Sequence, residues 1–442
     1  MQNTLSINII KIVGRNNFLT SENSMAPYKN GWRTQSGECK GVIIPASLLE
    51  MWKVLNLLVK NKKIILLQAS NTSLTGGSTP NGKYDRELFI INTLKLNNII
   101  LINNAEQIIA FPGSTLYKLE EKLKKFDRAP HSEIGSSCIG ASIVGGICNN
   151  SGGALIKRGP AYTELSLFAR VNQKGKLELV NNLDINLGNS PESILRNLDK
   201  GNISNNKLFK TRRKASSLDY KSVIKDVNAN SPARYNADKK RLYEASGCAG
   251  KLAVFAVRLD TFEKEKNEIT FYLSSNSSND LSVFRRKVLQ EVKELPIYAE
   301  YIHRDAYNIS KKYGKDAFLL IYLLGSHAMP FFYKIKSKIE KFFNKSKLFN
   351  SFTLDYILHF FTKFIPHPLS KKFDLISNKF EHHLILKFDK SIYNDIKPIA
   401  YKLFKNKSKN NFLHCDKKES KKITLARFVM AGANVRYARI HP

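Results

Sequence analysis

A run of small residues between positions 135 and 153 constrains the fold more than any other stretch. Six of its residues are glycine, and most of the others are serine, alanine, cysteine or asparagine. Side chains of this size cannot fill a core, but they allow a backbone to approach a ligand closely, because glycine lacks a Cβ and tolerates positive φ. Successive N–H groups in such loops form concave anion sites that suit a pyrophosphate. Tight turns in a closely packed α/β domain are the alternative explanation.

A second stretch of the same chemistry lies upstream, at residues 68–80. It contains hydroxyl side chains, an asparagine and the glycine pair at 76 and 77. It directly follows the apolar run 64–67, which predicts a buried strand. Two phosphate-binding loops separated by strands and a helix indicate one long ligand lying across two subdomains.

Length and charge set broad limits on the class of protein. A chain of 442 residues predicts two or more domains. The net charge of +34 arises from 71 lysines and arginines against 37 aspartates and glutamates, which favours nucleic acid or an anionic membrane surface as a partner. The chain is also rich in lysine, asparagine and isoleucine, which can reflect compositional drift across a whole proteome. The net charge alone is therefore weak evidence for a particular partner.

The cysteines and apolar runs exclude other classes. The five cysteines form no C-x-x-C pair and show no metal-ligand spacing, so we expect reduced thiols and no metal site. The first residues lack the pattern of a signal peptide. The longest apolar run, 317–324, is far shorter than the roughly 20 residues of a membrane-spanning helix. The chain is therefore not expected to cross a bilayer, and attachment to a bilayer surface stays open.

Local patterns before residue 260 predict a mixed α and β unit. Ser47 and Glu50 form a capping box for a helix between two strands, an order that predicts parallel strands. A hairpin is expected around 172–175. The polar region 183–232 is interpreted as an extended surface excursion, and the strand 252–259 should close the unit.

The chain changes character after residue 260 and becomes basic and aromatic after 303. Residues 303–380 contain 14 lysines and arginines against five aspartates and glutamates, with many phenylalanines. In 334–343, Ile335 and Ile339 share one helical face and lysines occupy the remainder, which is typical of a basic helix on an anionic lipid surface. A solvated helix packed on a core, or base stacking in nucleic-acid binding, are the alternatives.

Several blocks of sequence resemble known flavoproteins. Residues 45–77 resemble the first pyrophosphate loop of flavoproteins with the vanillyl-alcohol-oxidase-type FAD fold. Longer blocks resemble the respiratory quinone-dependent D-lactate dehydrogenases; these are 135–153, 158–164, 232–238, 246–259, 313–316 and 381–383. The similarity runs from about Gly31 to the end of the chain.

This resemblance implies an α+β fold with a two-subdomain PCMH/VAO-type FAD-binding domain over residues 1–260. An α/β cap domain would comprise 261–302 and 380–442, and a basic helical membrane-attachment segment 303–379 would be inserted in it. It implies a non-covalent FAD, D-lactate as substrate, membrane quinone as electron acceptor and a peripheral position on anionic phospholipid at the cytoplasmic face of the inner membrane. No nucleic-acid partner is expected.

Two other functions stay open at this stage. One is oxidation of a different 2-hydroxy acid, such as glycolate. The other is a truncated, non-catalytic flavin- and membrane-binding remnant, because family members continue past the position of His441 with a Glu-His-Asn…Gly-His block near the flavin.

Carried over position by position, the resemblance implies a set of flavin-binding residues. They are Ala69, Ser70, Asn71, Thr72, Ser73, Gly77, Ser78, Gly135, Ser142, Gly152 and Val254. The family has glycine at the position of Ser73. If that position requires positive φ, serine costs about 1 kcal/mol or more.

Oxidation of a 2-hydroxy acid requires a base for the hydroxyl proton, a cation for the carboxylate and a hydride acceptor. His382 and His383 are the candidate bases; because strand side chains alternate, only one of them can face the flavin. A polar edge strand is the alternative. Arg436 and Arg304 are the candidates for the carboxylate clamp, since arginine offers a bidentate fork, with surface salt bridges as the alternative.

Overall fold

The computed structural model defines most of the chain. The described residues are 2–31, 36–73, 75–132, 140–201, 203, 208–209, 212–234, 238–239, 242–325, 329, 331–332, 335–336, 339, 353–366, 368–405 and 411–441. The predicted flavin ligand Gly135 and most of the predicted helix 334–343 lie outside these residues.

Helices and strands alternate through the first part of the described chain, and helices dominate the later part. The helices are α1 Gln2–Val13, α2 Glu22–Lys29, α3 Leu48–Lys60, α4 Leu116–Leu123, α5 Ile143–Cys148, α6 Pro191–Asp199, α7 Tyr220–Lys225, α8 Ser278–Glu291, α9 Arg304–Tyr313, α10 Lys315–Leu324, α11 Thr353–Thr362, α12 Lys371–Lys379, α13 Tyr393–Ala400 and α14 Lys417–Ile440. The strands are β1 Phe18–Leu19, β2 Gly41–Ile43, β3 Ile64–Gln68, β4 Leu88–Asn92, β5 Ile99–Ile102, β6 Gln107–Ala110, β7 Arg128–Ala129, β8 Ser166–Val171, β9 Leu177–Asn181, β10 Ala253–Asp260, β11 Phe262–Glu263, β12 Glu268–Ser275, β13 Tyr298–His303, β14 His382–Asp389 and β15 Phe412–Cys415.

The first sheet has the order β1-β2-β4-β3, and both β2 and β3 run parallel to β4. This is the orientation predicted from the strand–helix–strand order, with β4 lying between the two strands that α3 connects. Side chains alternate across the sheet: Ile43 and Ile91 join the core that contains α3, whereas Val42 and Ile90 pack with α2 on the other face.

The second sheet is antiparallel, with the order β5-β6-β10-β8-β9, and includes the predicted β8–β9 hairpin. Helices α3 and α6 fill the core shared by the two sheets, where Trp52 packs edge-on against Phe255 at a centroid distance of 6.3 Å. Helices α4 and α5 cover its other face. This layering places the loop after β3 and the residues before α5 at the same end of the unit.

The prediction of an extended surface excursion over 183–232 is wrong for its first part. Leu183, Leu195 and Leu198 are fully buried, and α6 packs into the shared core. The Asp199 carboxylate at the end of α6 accepts hydrogen bonds from the N–H groups of Leu48 and Leu49 at 3.0 and 3.3 Å. The apolar residues of this region are few, but their helical spacing buries them on one face.

The third large sheet is antiparallel, with the order β13-β14-β12-β15. Helices α8 and α13 cover one face, and α9, α12 and α14 cover the other. Because β14 pairs with strands on both sides, the interpretation of residues 382–387 as a polar edge strand is wrong.

Helices α9, α10 and α11 pack with α14, and apolar side chains on them and just after α11 are exposed. Leu323, Leu324, Phe361 and Phe364 each have more than half of their surface accessible. Among the helices described, none has both the length and the apolar character needed to cross a bilayer.

The chain that follows the second glycine loop joins the third sheet. Leu155 forms a bridge with Tyr298, and the N–H of Ala299 donates to the Ala154 carbonyl at 3.0 Å. Residues 154–156 therefore extend the β13 edge of the sheet, so this loop is connected directly to it.

Candidate functional site

The two glycine-containing loops meet in the structure. The Ser70 hydroxyl donates to the Gly140 carbonyl at 2.5 Å, across 70 residues of sequence. Gly140 has φ +93°, and a Cβ at this position would lie 3.4 Å from the Ser70 Oγ. The proximity predicted for these loops is confirmed, and it depends on a residue with left-handed backbone and no side chain.

Asn71 organises the first loop. Its φ is +53°, and its side-chain oxygen accepts hydrogen bonds from the hydroxyls of Ser78 and Thr79, both at 2.8 Å. Gly76 supplies a second left-handed residue, with φ +73°. Ser73 is not left-handed, so the strain expected from serine at this position is absent. Asparagine adopts left-handed backbone more readily than other non-glycine residues.

The surface of the first loop is lined by small, half-buried groups. The Asn92 side chain donates to the Ala69 carbonyl at 3.1 Å and holds the start of the loop. Thr72 and Ser78 remain half-buried. An added Cβ on Gly77 would meet no heavy atom of the described residues within 4 Å. The loop therefore offers open space beside hydroxyl and amide groups.

Ser142 begins helix α5 at the second loop. Its hydroxyl accepts from the Gly145 N–H at 3.0 Å, and a Cβ on Gly145 would lie 2.6 Å from that oxygen. Val254, in β10, is buried in the same apolar cluster as Ile143 and Ile147. The backbone of α5 is thus held close to the second sheet.

Arg234 fixes the far end of the second loop and was not singled out by sequence reasoning. Its three guanidinium nitrogens donate to the Tyr220 hydroxyl at 2.9 Å and to the carbonyls of Gly153 and Leu155 at 2.7 and 3.1 Å. A Cβ on Gly152 would lie 2.6 Å from Arg234 Nη1. The sequence feature that could have identified Arg234 is its position inside residues 232–238, one of the blocks that resemble the flavoproteins.

His131 was also missed. It is the one histidine before residue 300 and lies just before the second glycine loop. The ring is 4% exposed, and neither nitrogen has a hydrogen-bond partner in the structure as described. Burial, and to a smaller extent the positive charge of Arg158, lower the pKa of His131 to about 4.

His382 lies at the open end of the third sheet, among polar groups. Its Nδ1 is 2.8 Å from the Tyr301 hydroxyl, and its ring is 5.6 Å from the His303 ring. His303 Nε2 is in turn 3.2 Å from a Glu381 carboxylate oxygen. Tyr301, His303 and Glu381 were not predicted, although all lie within three residues of predicted ones.

His383 points to the opposite face of the sheet, as strand alternation predicts. It is fully buried, with Nδ1 2.9 Å from the Ser274 hydroxyl and the ring stacked on Tyr272 at 5.4 Å. Burial lowers the pKa of His383 to about 4. Its environment is that of a neutral core histidine.

The two candidate arginines have different surroundings. Arg304 begins α9, and its backbone N–H donates to the Glu381 carbonyl at 2.8 Å, which places its backbone beside the His382 group. Arg436 lies on α14, where it donates to both carboxylate oxygens of Asp316 at 2.8 and 2.7 Å and lies 3.5 Å from Asp355. The structure does not bring the two arginines into one site, and the Arg436 guanidinium already binds protein carboxylates.

Comparison with solved structures identifies the fold. p-Cresol methylhydroxylase with substrate bound aligns with a TM-score of 0.55 at 11% identity, over 97% of this chain and 71% of that chain. An alkyldihydroxyacetonephosphate synthase aligns with a TM-score of 0.53 at 9% identity over 97% of this chain, which spans 64% of that longer protein. A model of the FAD binding domain matches residues 39–177. The class is therefore that of FAD-binding flavoproteins with the PCMH/VAO-type fold, as predicted.

Sequence relatives define the family within that class. The quinone-dependent D-lactate dehydrogenase of Escherichia coli (strain K12) is 48% identical over 98% of this chain and 76% of its own length. That of Haemophilus influenzae is 45% identical over 97% of this chain and 76% of its own. The family model described as D-lactate dehydrogenase, membrane binding, matches residues 270–442. The chain belongs to the quinone-dependent D-lactate dehydrogenase family.

The residues present fit the FAD that this family requires. A dinucleotide needs backbone at close range for its pyrophosphate and polar groups for its rings. The Ser70–Gly140 contact brings two such backbones together, and the open space at Gly77 lies on the same first loop. Ala69–Ser73, Gly77, Ser78 and Ser142 would hold the cofactor from these loops.

Proposed function

We propose that this chain oxidises D-lactate to pyruvate with a bound FAD and transfers the electrons to membrane quinone. The observation that carries the proposal is the meeting of the two loops at Ser70 and Gly140. The relatives named above are quinone-dependent D-lactate dehydrogenases, which supports the choice of substrate and acceptor. When bound, FAD supplies a hydride acceptor at its N5 atom.

We propose Arg304 as the carboxylate clamp. Its side chain makes no hydrogen bond or ion pair with the part of the chain described, and it lies at the N-terminus of α9, where the helix dipole also favours an anion. Arg436, the other candidate, already binds Asp316 and Asp355. A guanidinium occupied in this way gains little from a substrate carboxylate, so its proposed role is to hold α14 against α10 and α11.

We propose His382 as the base that takes the hydroxyl proton. It is half-buried and accessible, whereas His383 is fully buried on the other face. The Tyr301 hydroxyl contacts Nδ1 and orients the ring, leaving Nε2 for the substrate. A neutral imidazole has one nitrogen able to accept a proton, and for Nε2 to be that nitrogen the Nδ1–H donates to the Tyr301 hydroxyl oxygen.

The first experiment tests substrate and cofactor together. The purified chain, reconstituted with FAD, should lose its flavin absorbance when D-lactate is added without oxygen, and should respond much less to L-lactate. Bleaching by glycolate in preference to D-lactate would favour the other 2-hydroxy acid. Bound flavin that no hydroxy acid bleaches would favour a non-catalytic flavin protein.

Two pairs of variants test the proposed roles. Arg304→Lys removes the bidentate fork and should lower kcat/KM for D-lactate about 100-fold. His382→Gln should lower kcat by roughly 10²–10⁴-fold. Arg285→Lys, an exposed arginine on α8, and His414→Gln, an exposed histidine on β15, are the matched controls. Rates equal to those of the controls would contradict the assignments, and FAD affinity should be unchanged in all four variants.

We propose peripheral attachment to anionic phospholipid at the cytoplasmic face of the inner membrane. Support comes from the exposed side chains of Leu323, Leu324, Phe361 and Phe364, and from the excess of lysine over acidic residues between 303 and 380. Apolar side chains inserted in the interface and lysines near anionic headgroups act together, and each lysine contributes roughly 1 kcal/mol.

Leu323→Glu tests this attachment, with Leu218→Glu as its control. Both leucines are about equally exposed, at 67% and 69%, but Leu218 lies in the flavin-binding part of the chain. Leu323→Glu should weaken binding to vesicles containing anionic lipid more than tenfold. Burial of a leucine side chain contributes about 1.5–3 kcal/mol, which is lost, and the added carboxylate is repelled by the anionic headgroups. Equal effects of the two variants would contradict the proposal. Inverted inner-membrane vesicles should bind the chain better than right-side-out vesicles.

A further inference from the structure

His131 is a buried histidine with no partner for either ring nitrogen within the described residues. An unpartnered donor or acceptor in a protein interior is costly, and a ring with both nitrogens unpartnered is explained if a bound molecule supplies the missing hydrogen bonds. The ring is 4% exposed, and the following residue, Ser132, is 2% exposed.

The surroundings of His131 connect it to both glycine loops. The Pro130 carbonyl accepts from Arg158 Nη1 at 2.6 Å, which ties this point to the chain that leaves the second loop. Gly140, at the other end of the connection that begins after Ser132, accepts from Ser70 of the first loop. His131 therefore lies nine residues before Gly140, the residue of the second loop that contacts the first.

We propose that His131 binds the FAD, donating one hydrogen bond and accepting another along the edge of one of its two ring systems. A neutral imidazole has one donor and one acceptor nitrogen. Both ring systems of FAD offer donors and acceptors, whereas the pyrophosphate offers acceptors alone. Burial and the charge of Arg158 keep the imidazole neutral at pH 7, since they lower its pKa to about 4. The inference rests on FAD as cofactor and is independent of the substrate and catalytic residues proposed above.

The test uses the apoprotein of the full chain and two variants of His131. His131→Phe removes both nitrogens and keeps a ring of similar size, whereas His131→Gln keeps a donor and an acceptor. Ser166→Ala is the control, because the Ser166 hydroxyl in β8 is another buried group without a hydrogen-bond partner among the residues that the structure describes. FAD affinity is measured by quenching of flavin fluorescence, and the melting temperature of each apoprotein is recorded alongside.

His131→Phe should raise the Kd for FAD about tenfold or more, and His131→Gln should stay within about threefold of the native value. The His131→Phe apoprotein should melt no lower than the native apoprotein, since it loses two unsatisfied polar atoms. Loss of FAD affinity without loss of ADP affinity would assign the contact to the isoalloxazine, and equal losses would assign it to the adenine.

Native FAD affinity in His131→Phe would overturn the inference while leaving the cofactor assignment intact. If His131→Phe fails to fold, the FAD affinities of His131→Gln and His131→Leu are compared instead. Equal FAD affinity in these two variants would overturn the inference. Failure of the native apoprotein to bind FAD would overturn both the inference and the cofactor. Loss of lactate oxidation with native FAD affinity would contradict this inference and implicate catalysis instead.

Discussion

Gly152→Ala tests how the second glycine loop is held, because its added methyl group would collide with a fixed guanidinium. The new Cβ would lie 2.6 Å from Arg234 Nη1 and 3.5 Å from Cδ. Arg234 cannot move away freely, since its nitrogens bind the Tyr220 hydroxyl and the Gly153 and Leu155 carbonyls. The substitution must break at least the bond to Gly153. A hydrogen bond to a charged group contributes about 1.5–3 kcal/mol, so we expect a destabilisation of that size.

Urea unfolding of the apoprotein, followed by tryptophan fluorescence, measures this loss. Both tryptophans of the chain, at positions 32 and 52, precede residue 260, and Trp52 is buried against Phe255. The signal therefore reports the part of the chain that carries the loop. Gly77→Ala is the matched control, since its Cβ would meet no atom of the described chain within 4 Å, and it should change the unfolding free energy by less than about 0.5 kcal/mol.

A double-mutant cycle with Arg234→Ala decides the cause. If the collision with the guanidinium is responsible, Gly152→Ala should cost less than about 0.5 kcal/mol in the Arg234→Ala background. An equal cost with and without Arg234 would refute the steric explanation, and would indicate that the loop rejects a methyl group for another reason.

Two further predictions concern buried charge and acid stability. Asp355→Asn should destabilise the packing of α14 on α11 by about 3–5 kcal/mol, because Lys336 and Arg439, at 2.5 and 3.0 Å from the carboxylate, lose the negative charge that they share. Thermal melting followed by circular dichroism measures this loss, and a change below about 1 kcal/mol would contradict it. Burial acts to raise the pKa of Asp355, but Lys336 and Arg439 outweigh it and hold the pKa below its ordinary value, so this stabilisation is complete above about pH 4 and is lost as the pH falls through the folded-state pKa. His383 is buried in its neutral form with a pKa of about 4, so its stabilisation is complete above about pH 6.5 and up to about 3 kcal/mol is lost as the pH falls toward 4. His383→Asn should reduce the proton uptake on unfolding at pH 5 by about one, and an unchanged uptake would show that the histidine is accessible to protons.

Several features followed from consecutive residues alone. The glycine loops, the strands beside them, the helix capped by Ser47 and the hairpin at 172–175 appear where local composition and apolar periodicity place them. The alternation of His382 and His383 also follows from strand geometry, which has a period of two. The resemblance to flavoproteins rested on the same local blocks, so the fold class and FAD could be predicted.

Contacts between distant residues depended on the tertiary structure. Arg436 is 120 residues from Asp316, and no local pattern distinguishes a guanidinium that binds a protein carboxylate from one that binds a substrate. The burial of the apolar residues within 183–199 was missed for a related reason, because a segment that is polar on average can still carry one apolar face. Side chains such as Arg234 and His131 acquire their chemistry from neighbours that folding brings together, and hydrogen bonding and desolvation depend on distance in space and not on distance along the chain.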